Sequence, residues 1–232
     1  MSDKGGDNCD VLLMSATPIP RTLTMTIYGD MDLSIIREKP KLRKEVITYS
    51  KLDSKVDEVL RFINKEMNNG NQIFWVCPLI EESKKLDHTS AIKKYEYLKK
   101  KFPKKVALLH GKTEPENKEK ILKDFLDQKI KILVSTTIIE VGIDFPNANV
   151  IVIENANKFG LSQLHQLRGR VGRGEKQSTC ILMFKSSLTE NAKKRLSILK
   201  NSTDGFVISE EDMKLRGFGD ILGFKQSGIK IF

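Results

Sequence analysis

Lys131-Ile132-Leu133-Val134-Ser135-Thr136-Thr137 is the stretch that decides the fold. An uninterrupted apolar run gives way to a run of hydroxyl residues. A strand with water on one face alternates apolar and polar positions. A continuous run suits a strand of a parallel sheet covered on both faces. The hydroxyls then fall at the strand's carboxyl end, where ligand sites of parallel α/β sheets form. Short hydroxyl side chains and exposed amides there suit phosphodiester oxygens and read no bases.

The same pattern repeats outward in both directions. Val11–Met14, Val46–Tyr49, Gln72–Cys77, Val106–Leu109, Val150–Glu154 and Thr179–Phe184 also read as strands. Between them, Ser54–Met67 carries Val56, Val59, Leu60, Ile63 and Met67 at helical spacing. Glu116–Leu126 repeats this with Ile121, Leu122, Phe125 and Leu126, behind Pro115 at a first-turn position. Alternating strands and helices predict an α/β fold, a parallel sheet flanked by helices. Residues 1–44 hold one strand and a short helical stretch, closing at Lys39-Pro40, and cannot form a sheet alone. Residues 45–185 hold enough strands for a complete lobe. Residues 186–232 change character: helices over Thr189–Lys200 and Ser209–Leu215 predict a helical hairpin. Gly217, Gly219, Gly223 and Gly228 then punctuate an extended loop.

Forty basic against thirty acidic residues leave a net charge of +10, which favours a polyanionic partner. A 39% apolar and 30% charged composition reads as soluble and globular. No apolar run approaches the length of a membrane span, and no signal-peptide pattern is present. The cysteines Cys9, Cys77 and Cys180 have no zinc spacing. Cys77 and Cys180 sit in apolar runs and read as buried, reduced strand residues. The lysines Lys93, Lys94, Lys99, Lys100, Lys101, Lys104 and Lys105 read as a solvated helix face, with too few aromatics for a base-stacking platform.

Phosphate chemistry concentrates in Gln166-Leu167-Arg168-Gly169-Arg170-Val171-Gly172-Arg173-Gly174, just after a helix start. Arg170 and Arg173 each follow a glycine. Arginine is a planar, permanently charged fork suited to phosphate oxygens. Gly111-Lys112-Thr113 is not a phosphate-binding P-loop, because the required first glycine is Val106. Asp57-Glu58 lies within an amphipathic helix whose charges face water, so it is not a metal-binding acidic box. The chain therefore supplies positive charge for a phosphoryl group but neither the phosphate cradle nor the metal carboxylate of nucleotide hydrolysis.

Taken in order, Ser15-Ala16-Thr17, the Ser135–Asp144 run and the Gln166–Arg173 run resemble motifs III, V and VI of superfamily 2 helicases. The Met14–Leu23 run (Met-Ser-Ala-Thr-Pro-Ile-Pro-Arg-Thr-Leu) and the Trp75–Ser83 run resemble, more finely, the RecG family of bacterial branched-DNA helicases. This likeness covers nearly the whole chain. Asp204–Ile208, Leu215–Gly223 and Gln226-Ser227-Gly228 resemble the translocation motif that this family shares with transcription-repair coupling factors. Coupling factors tend to have glycine at Ala16; Trp75–Ser83 and Asn201–Phe206 favour the RecG family. Phe218 and Asp220 stand where the family usually has proline and glutamate.

The resemblance implies a RecA-like second helicase lobe over residues 45–185. Residues 1–44 would close a first lobe and carry the interlobe linker, and 186–232 would form the hairpin and translocation loop. It implies that Arg170, Arg173 and Gln166 act at the phosphates of ATP. Gly142, Asp144 and Glu140 would serve the nucleotide's sugar side, although Asp144 alone also reads as a turn cap before Pro146. Ser15, Thr17, Gly111, Thr136, Thr137, Arg195, Arg216 and Gln226 would bind DNA or couple its movement to hydrolysis. It implies ATP with Mg²⁺, the metal's ligands lying outside this chain, and double-stranded and branched DNA as partners. An N-terminal helicase lobe and a wedge region would complete the enzyme, in a bacterial, nucleoid-associated cytoplasmic setting. The expectation for the isolated polypeptide is an inactive piece that binds DNA weakly or not at all.

Overall fold

The computed structural model of the protein describes residues 34, 36, 44–78, 84–136 and 145–216, with residues 84–89 and 216 in backbone only. The first-lobe segment, the 137–144 run and the glycine-punctuated tail assigned above lie outside the described residues.

The strands form one sheet, and every pairing in it is parallel. They are β1 (Ile47–Leu52), β2 (Gln72–Val76), β3 (Val106–Leu109), β4 (Ile132–Ser135), β5 (Ala148–Ile153) and β6 (Thr179–Phe184). Their order across the sheet is β1-β6-β5-β2-β4-β3. The central strands β2 and β5 are buried throughout. This matches their unbroken apolar runs, since a parallel strand has helices on both faces. β1 runs to Leu52, beyond its expected end, because its ladder with β6 continues to Leu52 opposite Phe184.

Helices α1 (Val56–Asn68) and α2 (Lys84–Lys101) cover one face. There Val59, Leu60, Ile63 and Met67 pack with Ile73, Trp75, Val150 and Val152. On the other face, α3 (Pro115–Leu126), α4 (Leu161–Arg168), α5 (Glu190–Asn201) and α6 (Gly205–Arg216) share a second core. Its densest part is aromatic: Phe125 lies 5.3 Å from Phe74 and 5.2 Å from Phe145 between ring centroids. At the amino edge of the sheet, buried Asn149 donates to Asn71 Oδ1 at 2.9 Å and accepts from Ser178 at 3.1 Å. Gln72 donates to the Phe125 and Ile130 carbonyls. These amides satisfy polar groups that the strand starts would otherwise bury unpaired.

Three details depart from the sequence reading. Leu126, assigned to the core stripe of its helix, is 46% exposed; Phe125 fills that site instead. The last helix begins a turn before Ser209, because Asp204 caps it by accepting the Phe206 amide at 2.8 Å. Lys94 is not part of a solvated face. Its ammonium meets Glu154 at 2.6 Å and lies over the Trp75 and Tyr97 rings at 5.3 and 5.2 Å. This mostly buried pair ties α2 to the end of β5.

Cys77 and Cys180 are free and buried as expected. Burial pushes both thiols up, that of Cys180 to about 12, so neither carries appreciable thiolate at neutral pH. Iodoacetamide at pH 8 should therefore label Cys77 and Cys180 only after denaturation, as peptide mass spectrometry would register. Phe125→Ala should cost about 3–5 kcal/mol, the range for deleting a fully buried ring. Urea unfolding measures it.

Candidate phosphate-binding turn

α4 is a short helix held by its apolar side. Gln163 caps its start by accepting the Gly160 amide at 2.9 Å. Leu161, Leu164 and Leu167 are buried against the sheet. The helix stops at Arg168, so the arginines assigned to phosphate lie past its C-terminus, in a turn. That turn is closed by Arg170 N–H donating to the Leu167 carbonyl at 3.0 Å and pinned by buried Val171. Gln166 and Arg173 are exposed and Arg170 is half-buried. A helix C-terminus is the negative end of the helix dipole and by itself repels anions. Anion affinity here must come from the guanidinium groups.

Gly172 explains the glycine between the two arginines. Its φ is +77°, in the left-handed region, and a Cβ placed on it would stand 2.8 Å from Val46 Cγ2. The turn is thus pressed onto the residues immediately before β1. Ser178, immediately before β6, is also close, its Cβ 3.6 Å from where the Gly172 Cβ would stand. The arginine turn therefore sits at the amino edge of β1 and β6.

The other assigned residues divide between the edges. Thr136 follows β4 at the carboxyl edge, where the sequence placed it, but it is buried to 5% exposure. A phosphate contact through its hydroxyl would need that hydroxyl to become more exposed. Gly111 follows β3 at the same edge and is exposed. Nothing lies within 4 Å of where its Cβ would be, so packing does not demand glycine there. Arg195, on α5, donates to the Phe159 carbonyl at 2.9 Å and the Asn157 carbonyl at 3.4 Å. It ties α5 to the segment leading into α4. The fold thus brings Gln166, Arg170 and Arg173 together and sets them apart from Thr136 and Gly111. Arg216 closes α6 in backbone only. Ser15, Thr17, Thr137, Glu140, Gly142, Asp144 and Gln226 lie outside the described residues.

One residue that the sequence reading passed over is central. Arg168 is 3% exposed. Its Nη1 donates to the Leu199 carbonyl at 2.6 Å and the Ser202 carbonyl at 2.8 Å, at the C-terminus of α5. Thr48 Oγ1 of β1 lies at 3.5 Å, and His165 Nδ1 at 3.2 Å from Nη2. Burial lowers its pKa from the ordinary arginine value, with Cys180 and Glu45 acting the other way. Its position as the last helical residue of α4, next to the two exposed-looking arginines, hid this role. The available signal was the leucine spacing, which puts Arg168 beside Leu164 and Leu161 on the inner face.

Comparison with known proteins agrees with this architecture. The helicase conserved C-terminal domain family matches residues 54–175, more than half of the chain. The chain belongs to that family. The ATP-dependent DNA helicase RecG of Bacillus subtilis is 50% identical over 229 residues, 98% of this chain but 33% of its own length. RecG of Aquifex aeolicus is 52% identical over 221 residues, covering 94% of this chain and 28% of its own. The chain spans about a third of the length of the curated relatives it matches. A solved structure of RecG bound to a three-way DNA junction matches with a TM-score of 0.76 and 47% identity, over 90% of this chain and 27% of that one. A Saccharomyces cerevisiae Dbp5 variant bound to RNA and ADP BeF3 matches at a TM-score of 0.54 and 19% identity and shares the fold. The six-stranded sheet with its flanking helices is accordingly a RecA-like helicase C-terminal lobe.

Gly172→Ala in this lobe should cost about 1–3 kcal/mol, from left-handed backbone strain and the collision with Val46. Gly111→Ala, which meets nothing, should stay within about 0.5 kcal/mol. Denaturation midpoints of the two variants decide between packing and chance at these glycines.

Proposed function

We propose that the chain is the second motor lobe and translocation tail of an ATP-dependent double-strand DNA translocase that remodels stalled replication forks and branched recombination intermediates. The observation that carries the reading is the seat of the arginine turn. Gly172 lies against Val46, where the chain arrives from residues 1–44, the segment assigned to the close of a first lobe. A turn seated at that junction can present Arg170 and Arg173 to a nucleotide held by the neighbouring lobe.

In this reading Arg170 and Arg173 stabilise negative charge on the transferring phosphoryl group, the role of arginine fingers elsewhere. Exposed Gln166, four residues before Arg170, stands over the same phosphates. ATP supplies the phosphoryl group and the free energy of its transfer; this chain holds charge against it. Among the described residues no group of three or more His, Cys, Asp or Glu could hold a metal. The Mg²⁺ that accompanies ATP is assigned to carboxylates in the rest of the full-length protein. Gly142, Asp144 and Glu140 are assigned to the nucleotide's sugar side.

DNA is assigned to the opposite, carboxyl edge, with Gly111, Thr136 and Thr137 facing its backbone and Ser15 and Thr17 relaying nucleotide state to it. Arg195, Arg216 and Gln226 are assigned to coupling. Arg195 and Arg216 belong to the α5–α6 hairpin, which is attached through Arg195 to the segment before α4 and through Ser162 of α4 donating to buried Asp212 at 2.6 Å. Domain boundaries follow at 44/45 and 185/186. A first lobe and a wedge region are the expected companions, in a bacterial cytoplasm at the nucleoid. No helix among the described residues is long and apolar enough to cross a membrane.

The 232-residue chain alone should turn over no ATP with forked DNA and Mg²⁺. Phosphate release near 1 s⁻¹, the low end of ordinary enzyme rates, would sink the assignment of its motifs. In the full-length protein, Arg170→Ala or Arg173→Ala should lower ATP turnover by roughly 10³-fold or more. DNA affinity should be largely kept, because the DNA contacts are dispersed elsewhere. Loss of DNA binding with unchanged hydrolysis would move these arginines to the DNA surface.

A further inference from the structure

Several bonds converge on the amino edge of β1 and β6 from distant parts of the chain. Arg168 reaches from the base of the arginine turn to the Leu199 and Ser202 carbonyls, the end of α5. Glu45, immediately upstream of β1, accepts the Thr203 hydroxyl at 2.9 Å through its carboxylate, in the turn between α5 and α6. The Glu45 carbonyl accepts the Gln177 side chain at 2.6 Å, and Ile47 N–H donates to the Ser178 carbonyl at 3.0 Å. Gly172 closes the circle against Val46.

The chemistry of Arg168 is suited to a joint. The last carbonyls of a helix lack intrahelical partners and carry the negative end of its dipole. A buried guanidinium that meets them satisfies both sides without a carboxylate. Its fork also fixes direction: the two hydrogens of Nη1 serve the Leu199 and Ser202 carbonyls, while Nη2 lies 3.2 Å from His165 Nδ1, so the guanidinium plane is held from two sides. A guanidinium stripped of water loses much if its acceptors move away. The carbonyl end of α5 and the start of the arginine turn are therefore held at one separation.

We propose that Arg168 and Glu45 are positioning residues that clamp the arginine turn, the α5–α6 turn and the start of β1 into one body. Displacement of the arginine turn, or of the segment before β1, then reaches the hairpin directly. This is a route through described bonds, separate from the path assigned to the tail around Gln226. It rests on the proposed motor function for its use, though not for its existence.

The clamp itself is tested on this chain by hydrogen exchange at the Ile47, Arg170 and Ser202 amides. Each donates a bond at one corner: to Ser178, Leu167 and Ile198 respectively. The double variant Glu45→Gln, Thr203→Val removes the exposed bond between these two side chains and should fold normally. It should speed exchange at all three amides together, by roughly 3–10-fold, the scale of one lost hydrogen bond. Arg168→Lys should do so more strongly; if it does not fold, the double variant decides alone. Acceleration at Ser202 with Arg170 unchanged overturns the clamp. In the full-length protein, the Glu45→Gln, Thr203→Val variant should lower base pairs unwound per ATP by several-fold while DNA-stimulated hydrolysis stays within about twofold, a large ratio against mutational scatter. An unchanged ratio overturns the coupling role. A full-length wild type without DNA-stimulated hydrolysis overturns the motor reading, and the exchange result still stands for or against the clamp.

Discussion

A parallel sheet obliges each connection to cross the whole sheet, because the next strand must start again at the amino edge. That constraint arranges the described candidate residues of this lobe. Each strand delivers its following residues to the carboxyl edge and each returning helix delivers its own to the amino edge. Thr136 and Gly111 follow strands directly; Arg168, Arg170 and Arg173 follow a helix. The residues assigned to DNA and those assigned to phosphate are therefore separated by the height of the sheet although they are read from one continuous sequence. Thr136 and Phe145, which flank the 137–144 run, likewise lie at opposite edges, at the end of β4 and just before β5.

The sheet was legible because burial on both faces removes alternation. Ile132-Leu133-Val134 and Val150-Ile151-Val152 could be assigned from composition alone, and all of them are buried. Helix faces were legible for the same reason, except at ends. Leu126 fits the helical period but sits in the last residue of α3, where the core has already turned away. The start of α6 was missed because Asp204 acts through one side-chain bond, and a single capping residue in a polar stretch leaves no periodic signal.

The candidate site was legible in parts. Arginine and glycine types pointed to Arg170 and Arg173, and the structure places both in one turn past α4. What composition cannot convey is which of several neighbouring cations is dry. Arg168 and Lys94 both occur within basic runs and both are enclosed. Arg168 is matched by carbonyls and Lys94 by Glu154 and two aromatic faces. Apart from Tyr97, one turn along the same helix, each of these partners is more than thirty residues away or comes from another element. The pairing is a property of topology, and only neighbours in space can reveal it. The division of the candidate residues between the two edges was hidden for the same reason.

Trp75 gives the lobe a built-in optical probe. It is the sole tryptophan of the chain, in the central strand β2, fully enclosed, with Lys94 Nζ held 5.3 Å over its ring. An indole's emission colour follows the polarity and fixed charge around it, so light from this chain reports the middle of the sheet and the seating of α2. The arginine turn packs on the opposite face of the sheet, among different residues. Changes there that leave Trp75 spectrally silent are thereby distinguished from loss of the fold, without any label being attached.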